Sequence, residues 1–214
     1  MTFPDPREFG SDWDAAEAVA ILLHGHGQTP DDMQALAIDV DCPDVRYILP
    51  AAKGGTWFPR NLLEPFEDNK AGLEESLAHC RAIVESLRNR GVAQDRIVLG
   101  GFAHGACVIA EFLVRNPRSY GGALILSGGL IDVAAIGRRP GSGLLAVPIY
   151  VSGSEINAVI PVDRTRGAIK TLQAGGALIR SHVFTDRAHG ISPEDIIEAR
   201  KLLTDVKQAA EPSA

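Results

Sequence analysis

The sequence lacks the long apolar runs, basic clusters and paired cysteines that mark several classes of protein. Its apolar runs are far shorter than the roughly 20 residues that a membrane-spanning helix needs. No run of lysine and arginine is long enough to follow a phosphate backbone, and the formal net charge is -6. The three cysteines are an odd number without a short-range pair. These absences predict a protein with no membrane span, no nucleic-acid partner, no metal and no cofactor.

The N-terminal residues MTFPDPREFGSDWD have neither a basic start followed by an apolar stretch nor a small-residue cleavage site. They therefore indicate no secretion signal, and with reduced cysteines they predict a cytoplasmic location. A chain of 214 residues that is 45% hydrophobic fits one domain. We expect this domain to span residues 1–214 with its core at roughly 18–207, and we expect the first dozen or so residues and the last six to be frayed.

Short apolar runs alternate along the chain with longer segments of helical periodicity, a pattern typical of an α/β fold. We expect a mainly parallel sheet flanked by helices, with strands that are apolar because both faces are covered. The predicted strands are residues 19–23, 45–49, 96–99, 123–126, 148–151 and 178–184. The predicted helices are residues 73–87, 104–114, 163–172 and 192–206.

One glycine-flanked segment, Gly-Phe-Ala-His-Gly at 101–105, joins a predicted strand to a predicted buried helix. This is the setting of a nucleophile elbow, in which the glycines allow the strand and the helix to approach closely. The first strong strand ends in His24-Gly25-His26-Gly27, a form that supplies an oxyanion-binding N–H group. His189 follows the last predicted strand, where such folds place a catalytic histidine. The apex residue, however, is Ala103.

Several longer segments carry the same pattern: LLHGHGQTPDDM, PAAKGGTWFPRNLLEPFEDN, RIVLGGFAHGACVIAEFLVRNP, LILSGGLI, GSEINAVIPVDRTR and AHGISPEDI. Through them the sequence resembles the phospholipase/carboxylesterase family of small α/β-hydrolases, which includes acyl-protein thioesterases and bacterial carboxylesterases. The resemblance covers roughly residues 18–205. It implies an α/β-hydrolase fold, a small-molecule ester, thioester or carbonyl substrate, and acyl transfer by a Ser-His-Asp triad; a homodimer is an open alternative.

Carrying the family's residues over shows two departures. In the family's Gly-Phe-Ser-Gln-Gly motif, the position of the serine corresponds to Ala103 in this sequence. The position of the triad acid corresponds to Asn157. His189 is the one triad residue that is retained. A methyl group cannot attack a carbonyl, and an amide cannot stabilise an imidazolium, so the family's hydrolytic mechanism is closed. The resemblance further implies an oxyanion hole and a substrate pocket: backbone N–H groups of His26 and His104 for the hole, and Trp57, Phe58, Leu63 and Phe66 for the pocket.

Three explanations of the missing serine stay open. The alanine is a laboratory substitution in a working esterase, or the chain is a natural divergent that uses His189 as a general acid or base on a carbonyl substrate, or the chain binds a small molecule without chemistry. The histidines also raise a zinc alternative, in which three imidazoles and Glu155 bind the metal. The resemblance gives a structural role to the position of His24, and no two histidines have the His-x-x-x-His spacing of a short-range ligand pair. Both points favour structural roles for the histidines over zinc binding.

Overall fold

The computed structural model describes residues 3–132, 134 and 140–210, and within these ranges seven β-strands form one sheet. The strands are Arg7–Gly10 (β1), Ala18–Leu23 (β2), Val45–Leu49 (β3), Ile97–Phe102 (β4), Gly122–Leu126 (β5), Pro148–Ser154 (β6) and Leu178–Phe184 (β7). Their order across the sheet is β1-β3-β2-β4-β5-β6-β7. Only the β1–β3 pair is antiparallel. The predicted fold class, a mainly parallel α/β-hydrolase sheet, is confirmed.

Five α-helices in the same ranges cover the sheet. They are Pro30–Val40 (α1), Phe66–Asn89 (α2), His104–Arg115 (α3), Val162–Ala174 (α4) and Pro193–Ala210 (α5). Helix α1 was not among the predicted helices, although the Thr29 side chain caps it and a proline stands in its first turn. The predicted helix at 73–87 begins earlier, because α2 starts directly after Pro65.

The two edges of the sheet differ from expectation. Residues 7–10 were expected to be frayed, but they form β1 and pair with β3 from Arg7↔Leu49 to Gly10↔Arg46. This short strand carries no apolar alternation, so only its pairing with β3 reveals it. At the other edge, β7 is largely exposed rather than covered on both faces. The expectation of covered faces fails there because β7 is an edge strand with β6 as its only neighbour in the sheet.

Two apolar layers enclose the sheet. Alternate residues of β2 point to opposite layers: Val19, Ile21 and Leu23 pack with α2, α3 and α4, whereas Ala20 and Leu22 pack with α1 and α5. All three cysteines are buried and none forms a disulfide bond within the described residues; two of them, Cys80 and Cys107, belong to the layer with α2 and α3. Burial raises the pKa of each of these two thiols to about 12, so both stay protonated as core residues.

Parallel strands bring the residues that follow their carboxyl ends to one edge of the sheet. The segments that follow β2, β4, β6 and β7 meet there. They contain every residue that the resemblance gives to the triad and the oxyanion hole, including His104 at the start of α3. None of the helices in the described ranges is long and apolar enough to cross a membrane.

Candidate functional site

Ala103 occupies a strained turn between β4 and α3. Its φ is 51° and its ψ is -115°, a conformation that costs a non-glycine residue about 1–3 kcal/mol. The turn is held because the Ala103 N–H donates to the Leu126 carbonyl at 3.0 Å. A Cβ on Gly105 would lie 2.2 Å from the Leu23 carbonyl oxygen, so this position requires glycine. The turn therefore has the geometry of a nucleophile elbow, with a methyl group at its apex.

A cavity of about 530 Å³ lies at this apex. It brings together Ala103, His189, His26 and His104, four of the residues that the sequence analysis singled out. The full lining is Gly25, His26, Gln28, Phe102, Ala103, His104, Val159, His189, Gly190 and Ile191. The apex and the histidine from the far end of the chain thus line the same cavity.

Asn157 contacts His189 but does not itself line the cavity. Its Nδ2 lies 3.0 Å from Nδ1 of His189. Its Oδ1 accepts hydrogen bonds from the backbone N–H groups of Val159 at 2.9 Å and Ile160 at 3.0 Å. Asn157 is buried, with 7% of its surface exposed, whereas His189 is half-buried. Asn157 therefore holds the position relative to His189 that the resemblance gives to the triad acid.

The two cavity-lining residues that the resemblance gives to the oxyanion hole, His26 and His104, have backbone N–H groups with no protein acceptor in the described part of the chain. His104 is the first residue of α3, and a helix leaves its first N–H groups without an intrahelical partner. The loop around His26 is held because the Gly27 N–H donates to Gly55 and the Gln28 N–H donates to Gly25. Both groups are therefore available to an oxygen atom of a ligand.

The loop that carries His189 is tied to the sheet by an arginine. Arg187 forms an ion pair with the buried Asp195 and donates to Oγ of Ser127 at 2.8 Å. Ser127 in turn donates to the carbonyl of Gly190 at 2.9 Å. The charge of Arg187 also contributes, after burial, to lowering the pKa of His189. These contacts position the histidine from both sides.

The sequence alone does not identify these positioning residues. One signal was present, because Ser192 and Asp195 have the Ser-x-x-acid spacing of a capping box. The box forms: Asp195 Oδ2 accepts from the Ser192 N–H at 2.8 Å, and Ser192 Oγ accepts from the Asp195 N–H at 3.2 Å. Arg187 and Ser127 are 60 residues apart, and no pattern in the sequence connects them.

The four aromatic and aliphatic residues assigned to the substrate pocket do not line this cavity. Trp57 is buried and donates its indole N–H to the His24 carbonyl at 2.7 Å. Phe58 is also buried, Leu63 is 75% exposed, and Phe66 packs against the core at the start of α2. The apolar part of the lining comes instead from Phe102, Val159 and Ile191, together with Ala103.

His24 is a structural residue. Its Nε2 accepts from the Ala52 N–H at 2.9 Å, and its Nδ1 lies 2.7 Å from the Gly25 carbonyl, so both ring nitrogens bond to the backbone. Glu155, the carboxylate of the zinc alternative, forms an ion pair with Arg166. Among the residues that the structure describes, no three His, Cys, Asp or Glu side chains are grouped as metal ligands. The geometry therefore gives the zinc alternative no support.

His104 is held neutral inside the site. Its ring stacks on Phe58 with centroids 4.1 Å apart and lies 5.0 Å from the ring of His26. Burial, followed by the charges of His26 and His189, lowers the pKa of His104 to about 4. Its buried Nδ1 has no hydrogen-bond partner in the described part of the chain. The ring therefore contributes no positive charge to the cavity near neutral pH.

This depressed pKa predicts a pH-dependent stability. Between pH 6.5 and about 4, His104 is protonated in the unfolded chain but stays neutral in the folded chain. The free energy of unfolding therefore falls as the pH drops through this range. We expect this residue to account for a loss of up to about 3 kcal/mol over that window. Denaturant unfolding of the wild type and of His104→Gln, measured at several pH values between 4 and 8, checks it.

The glutamine variant has no titrating ring, so its stability is expected to depend less steeply on pH. Some dependence remains, because burial also lowers the pKa of His24, His79 and His189. Equal slopes for the two proteins would show that residue 104 is not a source of the effect.

Comparison with known proteins identifies the family of this chain. The family model described as Phospholipase/Carboxylesterase matches residues 8–206, and the chain therefore belongs to this family. It is 22% identical to acyl-protein thioesterase 1 of Debaryomyces hansenii over 89% of this chain and 92% of that protein. A second similar protein, acyl-protein thioesterase 1 of Cryptococcus neoformans, is 26% identical over 53% of this chain and 55% of its own.

Solved structures show the same fold. The phospholipase/carboxylesterase of Dyadobacter fermentans is 26% identical and superposes with a TM-score of 0.87, covering 95% of this chain and 98% of that one. The Bacillus cereus carboxylesterase is 17% identical with a TM-score of 0.76, and 94% of each chain is covered. The chain thus has the α/β-hydrolase fold of carboxylesterases and acyl-protein thioesterases.

Proposed function

We propose that this chain binds a small carbonyl compound, an ester, a thioester or a carboxylic acid, and does not form an acyl-enzyme. The observation that carries the proposal is the methyl group of Ala103 at the strained apex, on a cavity that it shares with His189. A methyl group offers no nucleophile, and removing the nucleophile from a comparable triad costs about a millionfold in turnover.

The cavity suits the oxygen and the hydrocarbon part of such a ligand. The backbone N–H groups of His26 and His104 supply donors for a carbonyl or carboxylate oxygen. Phe102, Val159 and Ile191 supply an apolar surface for a short acyl chain. Membership of the phospholipase/carboxylesterase family supports a ligand with an ester or acyl group over a nucleic acid.

The test is a binding titration in which the amide NMR signals of the protein are followed as methyl butyrate or sodium butyrate is added. We expect saturable shifts of residues around the cavity. Val159→Trp places a bulky ring where Val159 lines the cavity and is expected to weaken binding at least about tenfold, as overfilling of a packed site predicts. Ile156→Trp is the matched control, because Ile156 is exposed on the same loop and does not line the cavity.

A kinetic assay accompanies the titration. Wild-type protein mixed with p-nitrophenyl butyrate is expected to release no stoichiometric burst of p-nitrophenol, because no acyl-enzyme forms. Such a burst would contradict the proposal, and so would the absence of saturable binding or an equal loss in the two tryptophan variants.

Catalysis without a covalent intermediate is the second candidate. It is favoured by one observation: Nε2 of His189 has no protein partner in the described part of the chain, although the residue lines the cavity beside two free N–H groups. A proton donor and an oxyanion site together can polarise a carbonyl group. Slow conversion of a bound carbonyl compound that disappears in His189→Ala would favour this candidate over binding alone.

A further inference from the structure

We propose that Asn157 holds His189 as a hydrogen-bond donor towards the cavity, so that the preferred ligand is a carboxylate rather than a neutral ester. This inference rests on the proposed binding function and names the ligand class of the same site. It is carried by the orientation of two side-chain amides, each fixed by backbone N–H groups.

The orientation of Asn157 is determined by its neighbours. A backbone N–H can only donate, so the side-chain atom that faces the N–H groups of Val159 and Ile160 must be the oxygen. The amino group of Asn157 therefore faces His189, with its Nδ2 3.0 Å from Nδ1 of the ring. Turning the amide over would lose two backbone hydrogen bonds in a buried place, where each lost bond costs about 1–3 kcal/mol.

The orientation of Asn157 in turn determines the tautomer of His189. The amino group donates, so Nδ1 must accept and the ring proton of the neutral histidine is on Nε2. In a Ser-His-Asp triad the arrangement is the reverse: Nδ1–H donates to the carboxylate and Nε2 accepts from the serine. Burial, and then the charge of Arg187, lower the pKa of His189 and so favour the neutral ring. The histidine of this chain therefore presents N–H where the family's mechanism needs a base.

Gln28 follows the same logic on the other side of the cavity. Its Oε1 accepts from the Gly25 N–H at 2.8 Å, so the group that remains free is its amino group. Together with Nε2–H of His189 and the backbone N–H groups of His26 and His104, donors without a protein acceptor in the described part of the chain come from four of the lining residues. None of the described residues lining it carries a carboxylate.

A carboxylate matches this set of donors. It is an acceptor-only group with about four lone-pair positions on two oxygens, and hydrogen bonds to an ionised acceptor are roughly twice as strong as neutral ones. A neutral amide has one acceptor oxygen and two N–H donors. In this cavity its N–H groups would face the N–H groups of the protein and could not form hydrogen bonds with them. The apolar part of the lining then contacts the hydrocarbon chain of a short acid, and we take butyrate as the probe.

The first measurement determines the tautomer directly. Protein labelled with ¹⁵N in histidine is examined by long-range ¹H–¹⁵N correlation at pH 8, with His189→Gln used to assign the signals. We expect Nδ1 of His189 to resonate as an unprotonated nitrogen and Nε2 as a protonated one. In Asn157→Asp the new carboxylate accepts from Nδ1–H, so the two nitrogens are expected to exchange roles. Protonation of Nδ1 in the wild type would overturn the inference.

The second measurement compares ligands by titration. We expect butyrate to bind at least about tenfold more tightly than butyramide, the difference that one charge-assisted hydrogen bond supplies. Asn157→Asp is expected to lose at least about tenfold in butyrate affinity. Ala158→Asp is the matched control: it adds the same charge at an exposed neighbouring residue, does not line the cavity and leaves Asn157 in place. A much smaller loss is expected from it.

Failure of this inference is distinguishable from failure of the proposed function. If butyramide or methyl butyrate binds as tightly as butyrate, the carboxylate assignment is overturned and the binding function stands. If the two aspartate variants lose equal affinity, charge alone explains the effect and the role of Asn157 is overturned. If no probe binds, the proposed function is overturned together with the ligand class, and the histidine spectra still decide the tautomer.

Discussion

Ala103→Ser combined with Asn157→Asp is expected to raise the hydrolysis of p-nitrophenyl butyrate at least about a thousandfold over the wild type, a conservative part of the millionfold effect of a complete triad. The serine supplies a nucleophile at the strained apex on the cavity that His189 also lines. The aspartate can still accept from the N–H groups of Val159 and Ile160 while it also accepts from Nδ1–H of His189. Nε2 then becomes the base that activates the serine. Initial rates and burst amplitudes measure the gain.

The single variants are the controls for this prediction. Ala103→Ser alone keeps Asn157, whose amino group holds the proton on Nε2, and the equivalent acid-to-amide change costs a triad about ten-thousandfold. Asn157→Asp alone has no nucleophile. We expect Asn157→Asp to stay near the wild-type rate and Ala103→Ser to gain no more than about a hundredfold, well below the double variant. Full activity of Ala103→Ser alone would instead support the explanation that the chain is a working esterase with its serine replaced.

Gly105→Ala is expected to prevent the native turn from forming, with a loss of more than about 4 kcal/mol that places it among the most damaging single substitutions. The new Cβ would lie 2.2 Å from the Leu23 carbonyl oxygen and 2.6 Å from that of His24. Both contacts are to backbone atoms, and Leu23 belongs to β2, an interior strand of the sheet, so displacing either contact disturbs the sheet. Soluble yield and thermal unfolding, followed by circular dichroism, measure the effect.

Gly190→Ala is the matched substitution on another loop of the same site. A Cβ at Gly190 meets nothing within 4 Å, and the residue has no positive φ in the left-handed region. Its effect on the unfolding temperature is expected to be small. A stable Gly105→Ala protein would mean that α3 does not begin as close to β2 as the structure places it.

The sequence was most informative where local chemistry and backbone geometry agree. The glycines at 101 and 105 predicted the tight turn into α3, because only residues without a side chain permit that approach. The presence of Ala103 at the apex of this turn is likewise visible in the sequence alone. Patterns of this kind were less useful at the sheet edges, where β1 carries no periodicity and β7 looks apolar although it is exposed.

What the sequence by itself determined is the fold class and the presence of Ala103 at the turn between β4 and α3, since the alternation of apolar and helical segments and the glycine spacing are both visible along the chain. The direction in which the amide of Asn157 points, the ring nitrogen of His189 that carries the proton, and the anchoring of that ring by Arg187 were decided only in the tertiary structure. The physical reason is that a hydrogen bond assigns donor and acceptor by contact. Partners as distant as residues 127 and 187 acquire those roles only after the strands have brought them together.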